Sequence, residues 1–349
     1  MRQAVTKRGS GFTLRDVEAA APAAGEVQLR VRAAGICGSD LHGYREAGRW
    51  PAGVVRGHEI AGEIVALSPG VDGLAPGQRA SVEPLLYCRA CEHCLSGGYD
   101  LCPRRRLLGV GPSPGGFQEL LTVPAHTIFP FDPALDFATA ALAEPLAVGI
   151  HGVRVANSMV HDAAPGADRV VVLGAGSIGL LAAFYARHAG AAEVAVSARY
   201  PQQAELARRL GATEVFAADE AGARALEEWA AAHPVDLVIE SVGGTADTCN
   251  QALALVRPGG RVLILGVFTA PVSIRTGPML VKQPRVVSTL TYGRTGAHAD
   301  FAIALRLLER HAGALGELIT HRFPLGEVAD AFETAADKTR GTVKVTIEP

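Results

Sequence analysis

The chain lacks any strong excess of one charge. Its 349 residues carry 33 lysines and arginines against 35 aspartates and glutamates, a formal net charge of −2. The two signs are interspersed, so neither a nucleic-acid surface nor an anionic-membrane surface is expected. The opening segment "MRQAVTKRGSGFTLRDVE" has no apolar core, and no secretory leader is expected from it. There is no internal repeat and no low-complexity tract. Long hydrophobic runs are scarce as well. One stretch, "VVVLGAGSIGLLAAFYA" (Val170 to Ala186), approaches the length of a membrane span. Its clustered glycines and the preceding Asp168-Arg169 read instead as a buried strand, a tight turn and a buried helix. These absences leave a globular chain, expected to be cytoplasmic and long enough for two domains with substantial cores.

The first part of the chain reads as β-rich. "EVQLRVRAAG" alternates Val27, Leu29 and Val31 with polar residues, the period of a half-buried strand. "EIAGEIVAL" and "RASVEP" follow the same style between Gly and Pro turns, and long helical periods are not expected before about Ala138. From Arg169 the pattern changes to short apolar runs alternating with helical segments: "RVVVLG", "EVAVSA", "EVFAA", "VDLVIES" and "RVLILG". That alternation predicts a doubly wound parallel sheet. "RVVSTLTYG" (Arg285 to Gly293) reads as its last strand.

Three constellations carry chemistry. The first is G-x-G-x-x-G at Gly174, Gly176 and Gly179, leaving a β-branched strand and opening a helix at Ser177 and Ile178. Gly174 makes the turn, Gly176 lets the backbone reach a pyrophosphate, and Gly179 lets the helix close on the strand. The helix N-terminus offers free N–H groups to phosphate. Gly266, which ends "RVLILG", is placed with this cofactor-binding set. About 20 residues past the Gly174–Gly179 fingerprint, an acid normally binds the adenine ribose. Here Ser197, Ala198, Arg199 and Tyr200 occupy that stretch. Ala198 removes the repulsion an acid would exert on a 2′-phosphate, Arg199 supplies a bidentate donor, Ser197 another bond and Tyr200 a face for adenine. NADP(H) is therefore expected over NAD(H); the plainer reading makes Arg199 a solvated helix-start residue.

The second constellation is Cys88, Cys91, Cys94 and Cys102 within "CRACEHCLSGGYDLC". Four thiolates at this spacing suit a closed tetrahedral zinc with a structural role. An iron–sulfur cluster is the competitor, disfavoured by the seven-residue gap and by the lack of a second cluster motif. The third is dispersed over "GICGSDLH", "GHEIAG" and "AEPLAV". Cys37, His58 and Glu59 are suitable ligands for a zinc that keeps a position open. Singly, each also has a plain explanation: a small buried thiol, a core histidine, a surface acid.

In this order, the motifs resemble the zinc-dependent medium-chain alcohol and polyol dehydrogenases, in particular the sorbitol-, threonine- and butanediol-dehydrogenase-like members. The resemblance covers nearly the whole chain. It implies a GroES-like β-rich catalytic domain over residues 1–150 that carries the 88–102 zinc lobe. A Rossmann domain spans 151–292, and 293–349 return to the catalytic domain. It further implies Cys37 and His58 as catalytic zinc ligands, with Glu59 or Glu144 as the third, the two carboxylates exchanging as substrate binds. Asp40 would orient His58. Ser39 would take the substrate hydroxyl proton and pass it through the nicotinamide ribose to His42, while hydride moves between carbon and nicotinamide.

The implied substrate is a small secondary alcohol or polyol, or its ketone. Aminocyclitols, amino alcohols and reducible aldehydes are the alternatives within the family. A zinc- and nucleotide-binding protein without turnover is the alternative outside it. Tyr44, Trp50, Phe117 and Tyr292 are pocket candidates that could equally be core. A homodimer or homotetramer is expected.

Overall fold

A computed structural model describes residues 1–7, 11–45, 50–159, 168–295 and 298–349. The chain divides into two compact units, one of residues 1–144 with 293–349 and the other of 145–292. The division falls inside the helix Ala143–Ser158, between Glu144 and Pro145, where the sequence places the change at 150.

The first unit is built on a seven-stranded sheet. Its main path runs Ile319–Pro324, Lys344–Glu348, Glu26–Gly35, Glu59–Leu67, Arg79–Val82, Ile128–Pro130, and Leu120–Pro124 pairs with the other side of Glu26–Gly35. Glu26–Gly35 is the hub, antiparallel to three neighbours. The alternation read from sequence is real there: Val27, Leu29 and Val31 are fully buried. It ends at Ala33, after which both faces are covered, because strands of the same sheet and a helix close over that end. Inside sits an aromatic knot. Phe332, from the returning segment, packs on Phe12 at 4.7 Å, Trp50 at 5.6 Å and Phe117 at 5.8 Å between ring centroids. Trp50 and Phe117 therefore belong to the core, not to a pocket rim, and Tyr44 packs against the same knot. Tyr292 is fully buried too, at the end of the second unit.

One early helix escaped the sequence pattern: Gly38–Arg45, "GSDLHGYR". Two glycines and no apolar period hide it. Asp40 in its first turn favours the partial positive charge of a helix start.

The second unit holds a six-stranded sheet, parallel throughout. Its order is Glu214–Ala217, Glu193–Ala198, Arg169–Leu173, Val235–Glu240, Val256–Ile264, Arg285–Ser288. The strand order reverses next to Arg169–Leu173, and ligands of such sheets bind outside the carboxyl ends at that switch point. The last strand stops at Ser288, five residues short of the sequence reading. Its partner ends at Ile264, which pairs with Ser288, so the following residues have no ladder to join.

Candidate active site

The hub strand and its neighbours bring the dispersed motifs of the first unit together. "GICGSDLH" leaves the end of Glu26–Gly35, and "GHEIAG" opens Glu59–Leu67 beside it, with Gly35 paired to Glu59. This register sets the carboxylate of Glu59 over a residue without a side chain. A Cβ at Gly35 would stand 1.9 Å from Glu59 Oε2, so only glycine leaves room for it. The ligand atoms of Cys37, His58 and Glu59 all lie within 4.8 Å of one another. His58 and Glu59 are buried and Cys37 is half-buried. Thiol, imidazole and carboxylate, with one side partly open, is the donor set of a catalytic zinc. Glu144 is buried and lies outside that trio, though near enough to act on His58 by charge. Burial opposes a charged imidazole, but the Cys37 thiolate, Asp40 and Glu144 outweigh it and push His58 up to about 10. Such a pocket carries surplus negative charge, as the donor set of a divalent cation must.

The acid expected to orient His58 does something else. Asp40 Oδ2 stands 4.0 Å from His58 Nδ1, too far for a hydrogen bond, and accepts instead from the Cys37 backbone N–H at 3.1 Å. Its other oxygen accepts two bonds from Arg56, at 3.2 and 3.1 Å. Arg56 is itself buried and lies over the Trp50 ring at 5.2 Å. His58 Nδ1 has no hydrogen-bond partner among the described residues.

A second buried cation also went unread. Lys344 donates to Glu59 Oε1 at 2.6 Å and Oε2 at 2.7 Å. Burial works against its ammonium, but Glu59 outweighs that and raises Lys344 above the ordinary lysine range. The signal was present in "TVKVTI": a lysine among apolar and β-branched residues needs a buried counter-ion. Ser39 and His42 lie three residues apart on the short helix, hence on one face; Ser39 is exposed and His42 half-buried.

The four-cysteine lobe gathers around the short helix Glu92–Ser96. Cys91 Sγ is 3.5 Å and Cys88 Sγ 3.7 Å from Cys94 Sγ, and all four sulfurs lie within 4.8 Å of one another. A disulfide needs about 2.05 Å. Tetrahedral zinc with Zn–S near 2.3 Å places its sulfurs about 3.8 Å apart. The spacing therefore fits one tetrahedral ion, whereas a cluster spreads its thiolates over several irons. Backbone N–H groups of Ala90 and Cys91 help pull the Cys88 thiol down to about 5, while burial and the neighbouring sulfurs push Cys94 up to about 12. The sulfurs compete for negative charge that a shared cation would allow all of them to hold.

In the second unit the fingerprint glycines meet the needs read from sequence. Gly174 takes φ +100°, and a Cβ there would press on Val242. A Cβ at Gly179 would lie 2.0 Å from the Gly174 carbonyl oxygen, so this glycine permits the close helix–strand approach. Around Gly176 the space is open, and it caps the helix Ser177–His188. Leu173, one residue before the turn, pairs with Ser197 on one side and Glu240 on the other. Ser197 and Ala198 are buried, and Arg199 is exposed with its guanidinium 5.8 Å over the Tyr200 ring. A loop unread in the sequence supports the turn. Glu240 Oε1 accepts from the N–H groups of Val242 and Gly243 and from Thr248 Oγ1, and Ser241 Oγ donates to Leu173 O. Gly266 is packed against Glu240, whose Oε2 would lie 2.3 Å from a Cβ there.

A β-rich unit with a Cys–His–Glu cluster and a four-thiolate lobe, joined to a dinucleotide-binding sheet, defines a zinc-dependent dehydrogenase. The alcohol dehydrogenase GroES-like domain matches residues 23–133 and the zinc-binding dehydrogenase domain residues 177–310. The chain is 31% identical to L-arabinitol 4-dehydrogenase of Hypocrea jecorina over 93% of its own length and 85% of the relative's. It is 32% identical to L-threonine 3-dehydrogenase of Pyrococcus horikoshii, over 94% and 93%. A zinc-binding dehydrogenase of Sinorhizobium meliloti, solved bound to NADP, superposes with a TM-score of 0.86 at 31% identity over 100% and 99% of the two chains. The chain thus belongs to the zinc-dependent medium-chain alcohol and polyol dehydrogenases. It is an oxidoreductase that moves hydride between an alcohol- or polyol-type substrate and a nicotinamide cofactor, with zinc as its metal. Among the described residues no helix is long and apolar enough to cross a membrane.

Proposed function

We propose that Cys37, His58 and Glu59 hold the catalytic zinc, with Glu144 as a carboxylate that exchanges onto it, and that the four cysteines hold a structural one. The carrying observation is the convergence of the Cys37, His58 and Glu59 ligand atoms within 4.8 Å. Zinc, when bound, supplies Lewis acidity toward the substrate oxygen. The remaining work falls to the chain. Asp40 fixes the Cys37 backbone; Ser39 accepts the substrate hydroxyl proton and His42 hands it to solvent. The open backbone at Gly176 with the helix beginning at Ser177 receives the pyrophosphate.

The reaction we assign is reversible oxidation of a secondary alcohol of a small polyol. The likeness to a threonine dehydrogenase supports an amino alcohol as the second reading. We assign NADP(H) as the preferred cofactor, supported by the exposed Arg199 and the absence of an acid at Ala198. Self-association as a dimer or tetramer is supported by the exposed edge strand Arg285–Ser288, with Val286, Leu290, Leu280 and Val281 exposed around it.

The test is Cys37→Ser and His58→Ala, followed by turnover, nucleotide binding and zinc content. Turnover should fall by at least a thousandfold, one zinc per chain should be lost, and NADPH affinity should stay within about threefold. Wild-type turnover from either variant would sink the assignment.

A further inference from the structure

Lys344 is a lysine in a strand whose five residues are almost wholly buried. The strand Lys344–Glu348 pairs with the hub through Thr346 and Gly35, and Gly35 pairs in turn with Glu59. Three adjacent strands thus fix the lysine, the empty Cβ space and the carboxylate in one register. The ammonium has three donors. Its three acceptors are Glu59 Oε1 at 2.6 Å, Oε2 at 2.7 Å and the Ile36 carbonyl oxygen at 3.2 Å. Both carboxylate oxygens are therefore engaged by a buried cation while the same carboxylate lies within 4.8 Å of the Cys37 and His58 ligand atoms.

A carboxylate cannot give its full charge to two cations. Lys344 and a metal ion compete for Glu59, and burial keeps water from screening the competition. We infer that Lys344 is a positioning residue that holds Glu59 as a weakened, exchangeable ligand and so sets how tightly the centre grips its metal. This rests on the reading of Cys37, His58 and Glu59 as the metal centre. Without Lys344, Glu59 would bind as an undivided anion. The metal would then be held harder, and its charge would be more fully neutralised and less available to substrate.

The experiment compares wild type with Lys344→Met, Lys344→Gln, Lys344→Arg and Lys344→Met/Glu59→Gln. Total zinc per chain is measured first, then the rate at which zinc passes to a chromogenic chelator. A charge-assisted hydrogen bond is worth enough that release should slow about 10- to 100-fold in the Met and Gln variants. The Arg variant should stay within a few-fold of wild type, and the double variant should lose the slowing. In cobalt-substituted protein the visible bands should move in Lys344→Met and stay close to wild type in Lys344→Arg, a response that a merely structural role would not produce. Two zincs per chain with unchanged or faster release in both neutral variants overturns the role of Lys344 alone. A wild-type protein holding one zinc per chain, released from the four cysteines, overturns the centre and this role together. Should Lys344→Met fail to fold, Lys344→Gln, which can still donate to Glu59, decides the matter.

Discussion

Glu83 offers a sharp test of how the four-cysteine lobe is tied to the rest of its unit. It is 1% exposed, and its Oε1 lies 2.5 Å from the hydroxyl of Tyr99, inside the four-cysteine lobe. The same hydroxyl lies 3.2 Å from the carbonyl oxygen of Gly293, where the chain returns to the first unit. A tyrosine has one proton to give. With Glu83 ionised, one of the two acceptors goes unserved. With Glu83 protonated, the carboxyl donates to Tyr99 and Tyr99 donates to Gly293, and every group is satisfied. Burial pushes the same way, lifting Glu83 from 4.5 to about 7, with Asp300 adding to it and Tyr99 and Arg294 opposing.

A folded-state value above the unfolded one makes the native state the better proton binder between the two. The stabilisation is therefore complete below pH 4.5 and is lost as pH rises to about 7. At 1.36 kcal/mol per unit, the gap between 4.5 and 7 is worth about 3 kcal/mol. For a domain of 150–250 residues that corresponds to roughly 6–12 °C in Tm. Glu83→Gln keeps a neutral donor at every pH, so the variant should lack this decline. The assay is thermal unfolding of zinc-loaded protein at pH 5.5, 7 and 8.5. The variant's lead should be smallest at pH 5.5, where over half of the wild-type stabilisation remains, and should widen by several degrees at 8.5. Parallel curves, or a variant weaker at pH 8.5, would mean that an ionised Glu83 holds Tyr99 and that the proton inventory is wrong.

The remaining predictions are shorter. Arg199→Ala should lower kcat/KM with NADP roughly 10- to 150-fold, the worth of one charge-assisted bond, and leave NAD within about twofold; equal loss with both nucleotides makes the residue structural. Val286→Lys, on the exposed edge strand, should shift the sedimentation coefficient toward that of a monomer without lowering Tm, and an unchanged assembly would place the interface elsewhere.

The nucleotide-binding unit was legible because its information is local. One short segment holds the strand, the glycines and the helix start, and steric demand at Gly174 and Gly179 leaves few other residues possible. The gathering of the four cysteines was legible for the same reason, with four sulfurs inside fifteen residues. The edge strand was overrun because sequence shows apolar character but not where a neighbour ends. The helix Gly38–Arg45 was missed because packing holds it, not propensity.

What the sequence hid is instructive about the catalytic unit. Cys37, His58 and Glu59 announce themselves as donors, but their counter-ions come from elsewhere: Arg56 reaches Asp40 through a loop, and Lys344 reaches Glu59 across 285 positions. A motif search finds groups that bear negative charge and overlooks the cations that limit it. Yet a buried carboxylate with no partner would cost several kcal/mol and would protonate instead. Asp40 and Glu59, two of the buried acids around the Cys37–His58–Glu59 cluster, each have a buried cation, and the question a sequence leaves is where the chain supplies it. An arginine ahead of "GHE" and a lysine in an otherwise apolar final strand are the places to look, because at each the burial of the segment leaves the charge no route to water.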